Sequence, residues 1–374
     1  MRETLKSLRY SLLSLLASLL VGALIIVITD IDALKSGDFA KAFTTVIDAY
    51  RSLFQGSFWG VRSISNTIAG TTPLLLSGLA VSLAFKSGLF NIGATGQMLA
   101  GGMGSLWVGF VMAGPGWLQV PLALLAGAVG GAIFGGIAGV LKARTGAHEV
   151  ITTIMLNATA GFLVLWLLKT TLFQREGRPD PISKPIDPAA RLPRLFGFMD
   201  GRVDLMAHAG FIVAILATIF YWWLLKRTTI GFELRATGLN ADAAKYAGMK
   251  TKSLMVVAML IAGGFAGLAG ATEVLGTYGY ATASLAGNIG FDAIAVALLG
   301  QSTPIGTAVA ALLFGAMQAG GRSMQANTDV PVDLIIVLRA LIVMFVAAPL
   351  LVKAMFRVKT DAMSQGQTFR GWGG

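Results

Sequence analysis

The chain of 374 residues is 55% hydrophobic and only 13% charged, whereas an ordinary soluble domain contains roughly 25% charged residues. Its net charge is +11, but the Lys and Arg residues lie in short clusters between long uncharged runs. That arrangement is typical of a helical membrane protein with basic cytoplasmic connections, and it argues against a nucleic-acid partner. Because the chain has no cysteine, disulfides, thiolate metal sites and cysteine nucleophiles are excluded.

The amino-terminal region predicts two different helices. Residues 10–29 form an apolar run that is longer than the hydrophobic core of a signal peptide, so we expect an uncleaved first transmembrane helix. Residues 30–62 carry apolar side chains at helical spacing, among them Phe39, Phe43 and Tyr50. This spacing predicts an amphipathic helix at the outer face of the membrane.

Apolar runs of spanning length then recur along the chain, since a transmembrane helix needs about 20 such residues. The uncharged run at residues 87–141 is long enough for two spans, and Gly114-Pro115-Gly116 supplies the turn between them. Together with the amino-terminal helix, these runs predict about ten transmembrane helices. The other predicted spans are residues 63–85, 150–168, 205–225, 253–272, 285–300, 305–320 and 331–352.

The connections between spans determine the predicted orientation. Residues 171–204 contain five prolines, which forbid a regular helix over much of that length, so they predict an irregular extracellular cap. Lys and Arg are more numerous in the connections on the amino-terminal side, including residues 226–252 and the tail at 353–374. That side is therefore assigned to the cytoplasm, and the fold class is an all-α integral membrane protein with one transmembrane domain over residues 1–374 and both termini cytoplasmic.

No catalytic apparatus is apparent in the sequence. A phosphate-binding Walker loop needs Gly-Lys followed by Ser or Thr, and the dipeptide Gly-Lys does not occur. The two histidines, His148 and His208, lack the spacing of a zinc site. We therefore expect no cofactor, no metal and no enzymatic activity in this chain, and any ATP would be bound by another chain.

A polar, glycine-containing segment at residues 88–97 interrupts the apolar pattern and contains Asn91 and Gln97. In hydrocarbon, backbone polar groups need internal partners, so a broken helix is tolerated only where it is buried in protein or lines a watery cavity. The segment therefore predicts a translocation path or helix packing through small residues, and both can hold at once.

A second segment, residues 285–292, repeats the tripeptide Asn-Ile-Gly of residues 91–93. In the predicted topology the first copy follows a helix running inward and the second follows one running outward. This is the arrangement expected of two inverted-topology halves, here residues 63–170 and 253–352.

The second copy adds three candidate path residues, Asn288, Phe291 and Asp292. An ionisable side chain inside a span marks function by default, and an aromatic ring offers stacking to a nucleoside base. The alternative for Asp292 is a structural salt bridge with Arg339.

The predicted cytoplasmic connection at residues 226–252 contains a short helix. Asn240 is a good N-cap, the alanine-rich run after it favours helix, and Gly248 is a good C-terminal stop. The small side chains of Ala243 and Ala244 would leave a bare knob suited to a groove on a cytoplasmic partner. The alternative is an ordinary solvated loop.

Five segments in order carry a family resemblance; they are TTPLLLSGLA (71–80), GLFNIGATGQ (88–97), HEVITTIMLN (148–157), GFELRATGLNADAAKYAG (231–248) and GFDAIAVALLG (290–300). Through them the chain resembles the permease subunits of bacterial ABC importers of the branched-chain amino acid and ribose type. It looks closest to the nucleoside or simple-sugar branch, over roughly residues 63–350. Relatives commonly carry Glu at the position of Thr95, so this chain lacks a charge near the path.

The resemblance implies an ATP-driven importer subunit in the bacterial plasma membrane, with nucleosides as the expected substrates. Its implied partners are membrane lipid, a cytoplasmic ABC ATPase, an extracellular substrate-binding protein and a second permease subunit, expected to be a different chain. It also implies that Asn240, Ala243, Ala244 and Gly248 belong to the helix that couples the permease to the ATPase.

Other interpretations remain open at this point. Ribose-type sugars and branched-chain amino acids are alternative substrates, and the second permease could be another copy of this chain. A secondary transporter working without an ATPase could also contain inverted repeats. It would, however, want several buried acidic groups, and Asp292 is nearly the only one.

Overall fold

The computed structural model describes residues 2–29, 35, 39–199, 202, 204–328, 330 and 333–347. Within these ranges the backbone is mainly helical, and extended pairing is limited to isolated bridges. The α-helices are α1 (Arg2–Thr29), α2 (Phe39–Phe58), α3 (Val61–Lys86), α4 (Ala94–Val111), α5 (Gly116–Thr145), α6 (Glu149–Leu167), α7 (Gly210–Arg227), α8 (Thr229–Leu239), α9 (Ala241–Tyr246), α10 (Thr251–Thr272), α11 (Ile289–Leu299), α12 (Pro304–Asn327) and α13 (Asp333–Ala347).

Six of the described helices are long and apolar enough to cross a membrane, which agrees with the predicted helical membrane protein. They are α3, α5, α6, α7, α12 and α10 with its continuation to Tyr278. Two shorter apolar helices are Leu13–Thr29 and α11. The tail predicted at residues 353–374 and both ends of the span predicted at 331–352 lie outside the described residues.

The chain folds as two compact units, and the first comprises Met1–Ile64 with Ala316–Gly374. In this unit the Tyr50 hydroxyl on α2 donates a hydrogen bond to the Leu19 carbonyl on α1 at 2.6 Å. Ala17 packs against Phe345 of α13 in a small apolar core. The sequence-based prediction of a helix within residues 30–62 is confirmed by α2.

The second unit, Ser65–Gly315, is organised around a close crossing of α4, α5 and α10. A Cβ at Gly101 would overlap the backbone of Gly267, and one at Gly131 would overlap the Gly263 carbonyl oxygen. Small residues let membrane helices approach backbone to backbone, where dispersion contacts hold them together. The three glycine-rich helices therefore form the packed centre of this unit.

Where the structure describes residues 171–204, helix is limited to a 3₁₀ turn at Pro188–Ala190, in agreement with the predicted irregular segment. It pairs with the chain after α10, because Ser183 N donates to the Ala281 carbonyl at 3.0 Å and Ala281 N donates to Ser183 Oγ at 2.8 Å. Leu192 N likewise donates to the Leu275 carbonyl at 2.9 Å. These bonds replace the internal ones that the prolines preclude.

The helices around the second Asn-Ile-Gly copy differ from the prediction. The helix predicted to end at residue 272 continues through a π-helical turn, Glu273–Tyr278. The span predicted at residues 285–300 is too long, because α11 has only 11 residues. The chain between Gly279 and Gly287 is not helical, and the positive φ angles of these two glycines, 77° and 44°, favour turns at both ends of it.

Candidate functional site

The first broken segment, residues 88–97, connects α3 to α4 and includes the first residues of α4. It is held by a reciprocal amide pair. Asn91 Nδ2 donates to Gln97 Oε1 at 3.0 Å, and Gln97 Nε2 donates to Asn91 Oδ1 at 3.1 Å. Asn91 Oδ1 also accepts from Gly93 N at 2.9 Å. Asn91 and Gln97 are 0% and 1% exposed, so both side chains are buried and bonded to each other.

Asn157 ties this segment to α6. Its Oδ1 accepts a hydrogen bond from Gly96 N at 2.8 Å, and its Nδ2 donates to the Ile92 carbonyl at 2.8 Å. A break in a helix frees peptide groups that lipid cannot satisfy, and here a side chain from a neighbouring helix satisfies two of them. Asn157 is therefore a hydrogen-bonding residue that joins α6 to this segment.

The structure brings the two Asn-Ile-Gly segments into contact. A Cβ at Gly290 would overlap Thr95 Oγ1 and lie 2.8 Å from Thr95 Cα. Five residues earlier, the side chain of Leu285 covers Gly102 of α4. The chain entering α11 thus runs along α4 in the opposite direction, and the two breaks meet at Thr95 and Gly290.

The candidate path residues of the second copy are more accessible than those of the first. Asn288 is exposed, Asp292 is partly buried, and Phe291 is 57% exposed. Thr95 Oγ1 is buried and has no hydrogen-bond partner among the described residues. Polar and aromatic groups that could contact a solute therefore cluster on the α11 side of the junction.

The helix predicted in the segment at residues 226–252 is present as α9. Asn240 Oδ1 accepts from Ala243 N at 2.9 Å, which confirms the predicted N-cap, and Gly248 adopts a φ of 85° just after the helix. Ala243 is exposed, but Ala244 is buried. Ala244 is therefore not part of an exposed knob, because its side chain faces the protein.

Sequence reasoning missed the two most exposed apolar side chains of this segment. Leu239 is 90% exposed and Tyr246 is 94% exposed, one on each side of α9. These two side chains make the segment around α9 a candidate interaction surface. The signal in the sequence was an apolar residue directly before the N-cap and another at the helix end.

Sequence reasoning also missed a buried series of hydrogen-bonded polar groups beside the π-helical turn. Gly210 N donates to His208 Nδ1 at 3.2 Å, so the neutral ring carries its proton on Nε2, which lies 3.3 Å from Thr277 Oγ1. Thr277 Oγ1 in turn donates to Glu273 Oε1 at 3.2 Å. Burial, reinforced by the positive charge of Arg194, lowers the pKa of His208 to about 4.

In the part of the chain that the structure describes, no three His, Asp or Glu side chains gather as metal ligands. A family model described as the permease component of branched-chain amino acid transport systems matches residues 63–348. The chain belongs to this permease family. It is a permease subunit of an ABC importer and a multi-pass membrane protein, and its role is transport rather than catalysis.

Three curated relatives cover most of the permease. A guanosine ABC transporter permease of Bacillus subtilis is 38% identical over 350 residues, which are 93% of this chain and 95% of the relative. A nucleoside ABC transporter permease of Lactococcus lactis is 36% identical, covering 82% and 85% of the two chains. A glucose ABC transporter permease of Haloferax volcanii is 34% identical, covering 89% and 85%.

Bacillus subtilis also has a second guanosine ABC transporter permease, which is 27% identical to this chain. No solved structure matches the permease. ABC permeases of this kind work with an ATPase, a second permease and a substrate-binding protein.

Proposed function

We propose that this permease imports nucleosides across the bacterial plasma membrane, driven by ATP hydrolysis on a separate ATPase chain. The observation that supports a transport path is the contact between the two broken segments at Thr95 and Gly290, which we call the junction. Broken helices that meet inside a membrane protein are tolerated where they are buried in protein or line a cavity. The choice of nucleosides is supported by the guanosine and nucleoside permeases among the relatives.

In this proposal the chain crosses the membrane about ten times, with inverted-topology halves and both termini in the cytoplasm. Support comes from the antiparallel approach of the two Asn-Ile-Gly segments, as inverted repeats require. The irregular cap then faces outward and α9 faces the cytoplasm, and residues 1–374 act as one transmembrane permease domain.

The path residues divide into two roles. Asn288, Phe291 and Asp292 contact the solute, because they are exposed or partly exposed beside the junction. Asn91 and Gln97 shape the path without touching the solute, because their amide pair fixes the backbone of the first segment. The exposed ring of Phe291, three residues after the exposed amide of Asn288, suits a solute with a flat heterocycle and hydroxyl groups.

In the same proposal, α9 docks into the ATPase. Asn240 and Gly248 shape the helix ends and Ala243 allows close approach, while Leu239 and Tyr246 supply the apolar area. Ala244 supports the helix from inside. The pair of guanosine permeases in Bacillus subtilis favours a different chain as the second permease here, and not a second copy of this one.

Reconstitution tests this function. The permease would be placed in proteoliposomes with its candidate second permease and ATPase, and labelled guanosine or glucose would be supplied with the binding protein. We expect guanosine uptake only when ATP is inside with the ATPase. Uptake of glucose alone would replace the substrate with a sugar, as the relative in Haloferax volcanii suggests, and uptake without the ATPase would replace the mechanism with secondary transport.

A further inference from the structure

Two glycines bring α8 directly against the first broken segment. A Cβ at Gly88 would lie 2.9 Å from Gly238 Cα, and one at Gly238 would overlap the Lys86 carbonyl oxygen and lie 2.8 Å from Gly88 N. Real side chains do not fit at such distances, so the two backbones touch with nothing between them. Gly88 also has a φ of 72°, which favours glycine independently.

On one side of this contact, Gly238 is fixed to α9. Gly238 lies in the last turn of α8, two residues before Asn240. Asn240 N donates to the Ala236 carbonyl at 3.1 Å, while Asn240 Oδ1 accepts from Ala243 N at 2.9 Å. Asn240 therefore ends α8 and begins α9, so no flexible linker separates α9 from Gly238. A displacement of α9 would move Gly238 with it.

On the other side, Gly88 is fixed to the junction. Leu89 N donates to the Ala84 carbonyl at 2.9 Å, and the side chain of Leu89 is buried. The Asn91–Gln97 amide pair then holds the segment as one piece up to Thr95, seven residues after Gly88, where Gly290 packs. A shift at Gly88 would therefore reach the place where the broken segments meet.

We propose that Gly88 and Gly238 form the positioning contact through which a displacement of α9 moves the first broken segment and so opens or closes the junction at Thr95 and Gly290. The inference rests on the proposed function, in which α9 docks into the ATPase. A backbone-to-backbone contact suits this role because no side-chain rotamer can change to absorb the movement.

Hydrogen exchange of the unmodified complex tests the contact without any substitution. Peptides covering residues 236–247 and 86–93 would be compared between the ATP-free complex and the complex trapped with ATP and vanadate. We expect the exchange of both segments to change together. A change at 236–247 with none at 86–93 would overturn the positioning contact alone, whereas no change at either segment would overturn the coupling role of α9 as well.

A substitution gives the second test. Gly238→Ala forces the two backbones apart, while Gly161→Ala on α6 is the matched control, since its Cβ would meet nothing within 4 Å. The readout is solute imported per ATP hydrolysed, normalised to assembled complex. We expect this ratio to fall about tenfold in Gly238→Ala, within the usual range of coupling between sites, and to stay unchanged in the control.

A merely structural role for Gly238 would lower the amount of assembled complex and leave the ratio of solute to ATP unchanged. That result would overturn the inference, as would an equal loss in Gly161→Ala. If Gly238→Ala does not assemble at all, the exchange measurement on the unmodified complex decides the question by itself.

Discussion

Replacement of Gln97 by Ala tests whether the amide pair holds the first broken segment in place. The change deletes both hydrogen bonds between Gln97 and Asn91, of 3.0 and 3.1 Å, at a position only 1% exposed. Asn91 Oδ1 keeps the bond from Gly93 N, but Asn91 Nδ2 is left buried without its acceptor. An unsatisfied buried donor costs about 1–3 kcal/mol, and the lost packing of the side chain adds about 1 kcal/mol more.

The expected destabilisation of about 2–4 kcal/mol would appear first as a loss of folded permease. Thermal unfolding of the detergent-purified protein, followed by size exclusion, would show a lowered midpoint, and membrane abundance would fall with it. Gln325→Ala is the matched control, because Gln325 is exposed on α12. Normal stability and abundance of Gln97→Ala with abolished uptake would refute the structural role and place Gln97 in direct contact with the solute.

Three other predictions concern the ends of the membrane-spanning region. Leu239→Ala combined with Tyr246→Ala should lower the affinity for the ATPase, measured by co-purification, about 100-fold, because each residue loses roughly 1.5 kcal/mol of apolar burial. Phe198→Ala in the cap is the control and should leave the affinity unchanged. Equal binding by the double variant and the control would exclude this docking surface. The pKa of His208 is about 4 in the folded protein, below its usual 6.5. The contribution of His208 to the free energy of unfolding is therefore complete above pH 6.5 and is lost as pH falls through 4. The total loss is about 3 kcal/mol. A His208→Gln variant should lose that part of the pH dependence of the unfolding midpoint, and an unchanged profile would contradict the assignment. Single cysteines at Glu176 and at Leu239 should react with an impermeant maleimide from opposite faces of the membrane, and labelling from one face would contradict the topology.

Helix α9 could be predicted from the sequence because its determinants are local. The N-cap bond of Asn240 joins residues three apart, and Gly248 needs only its own backbone freedom to end the helix. Neither feature depends on which other helix lies nearby. The direction of each side chain does depend on neighbours, so the burial of Ala244 and the exposure of Leu239 and Tyr246 could not be read from the same pattern.

Interactions between distant residues account for most of what the sequence did not reveal. Asn157 bonds to Gly96 and Ile92 across more than 60 residues, and His208 meets Thr277 across 69. A single sequence carries no signal for such pairs, since any polar residue on an apolar helix has many conceivable partners. The boundary of α11 was wrong because residues 283–288 form successive turns, in which Leu285 N donates to the Thr282 carbonyl and Gly287 N donates to the Ser284 carbonyl, where an isolated apolar run would favour helix.

The two Asn-Ile-Gly copies show why an internal repeat predicts position better than it predicts chemistry. Asn91 is followed six residues later by Gln97, which returns to bond it. The equivalent position after Asn288 is Ile294, which has no amide to offer. Asn288 is accordingly exposed while Asn91 is buried, although both begin the same tripeptide. An amide already bonded to a partner cannot exchange hydrogen bonds with a passing solute at low cost. Under the proposed function, solute contact therefore falls to the second copy, and the first copy holds the junction in shape.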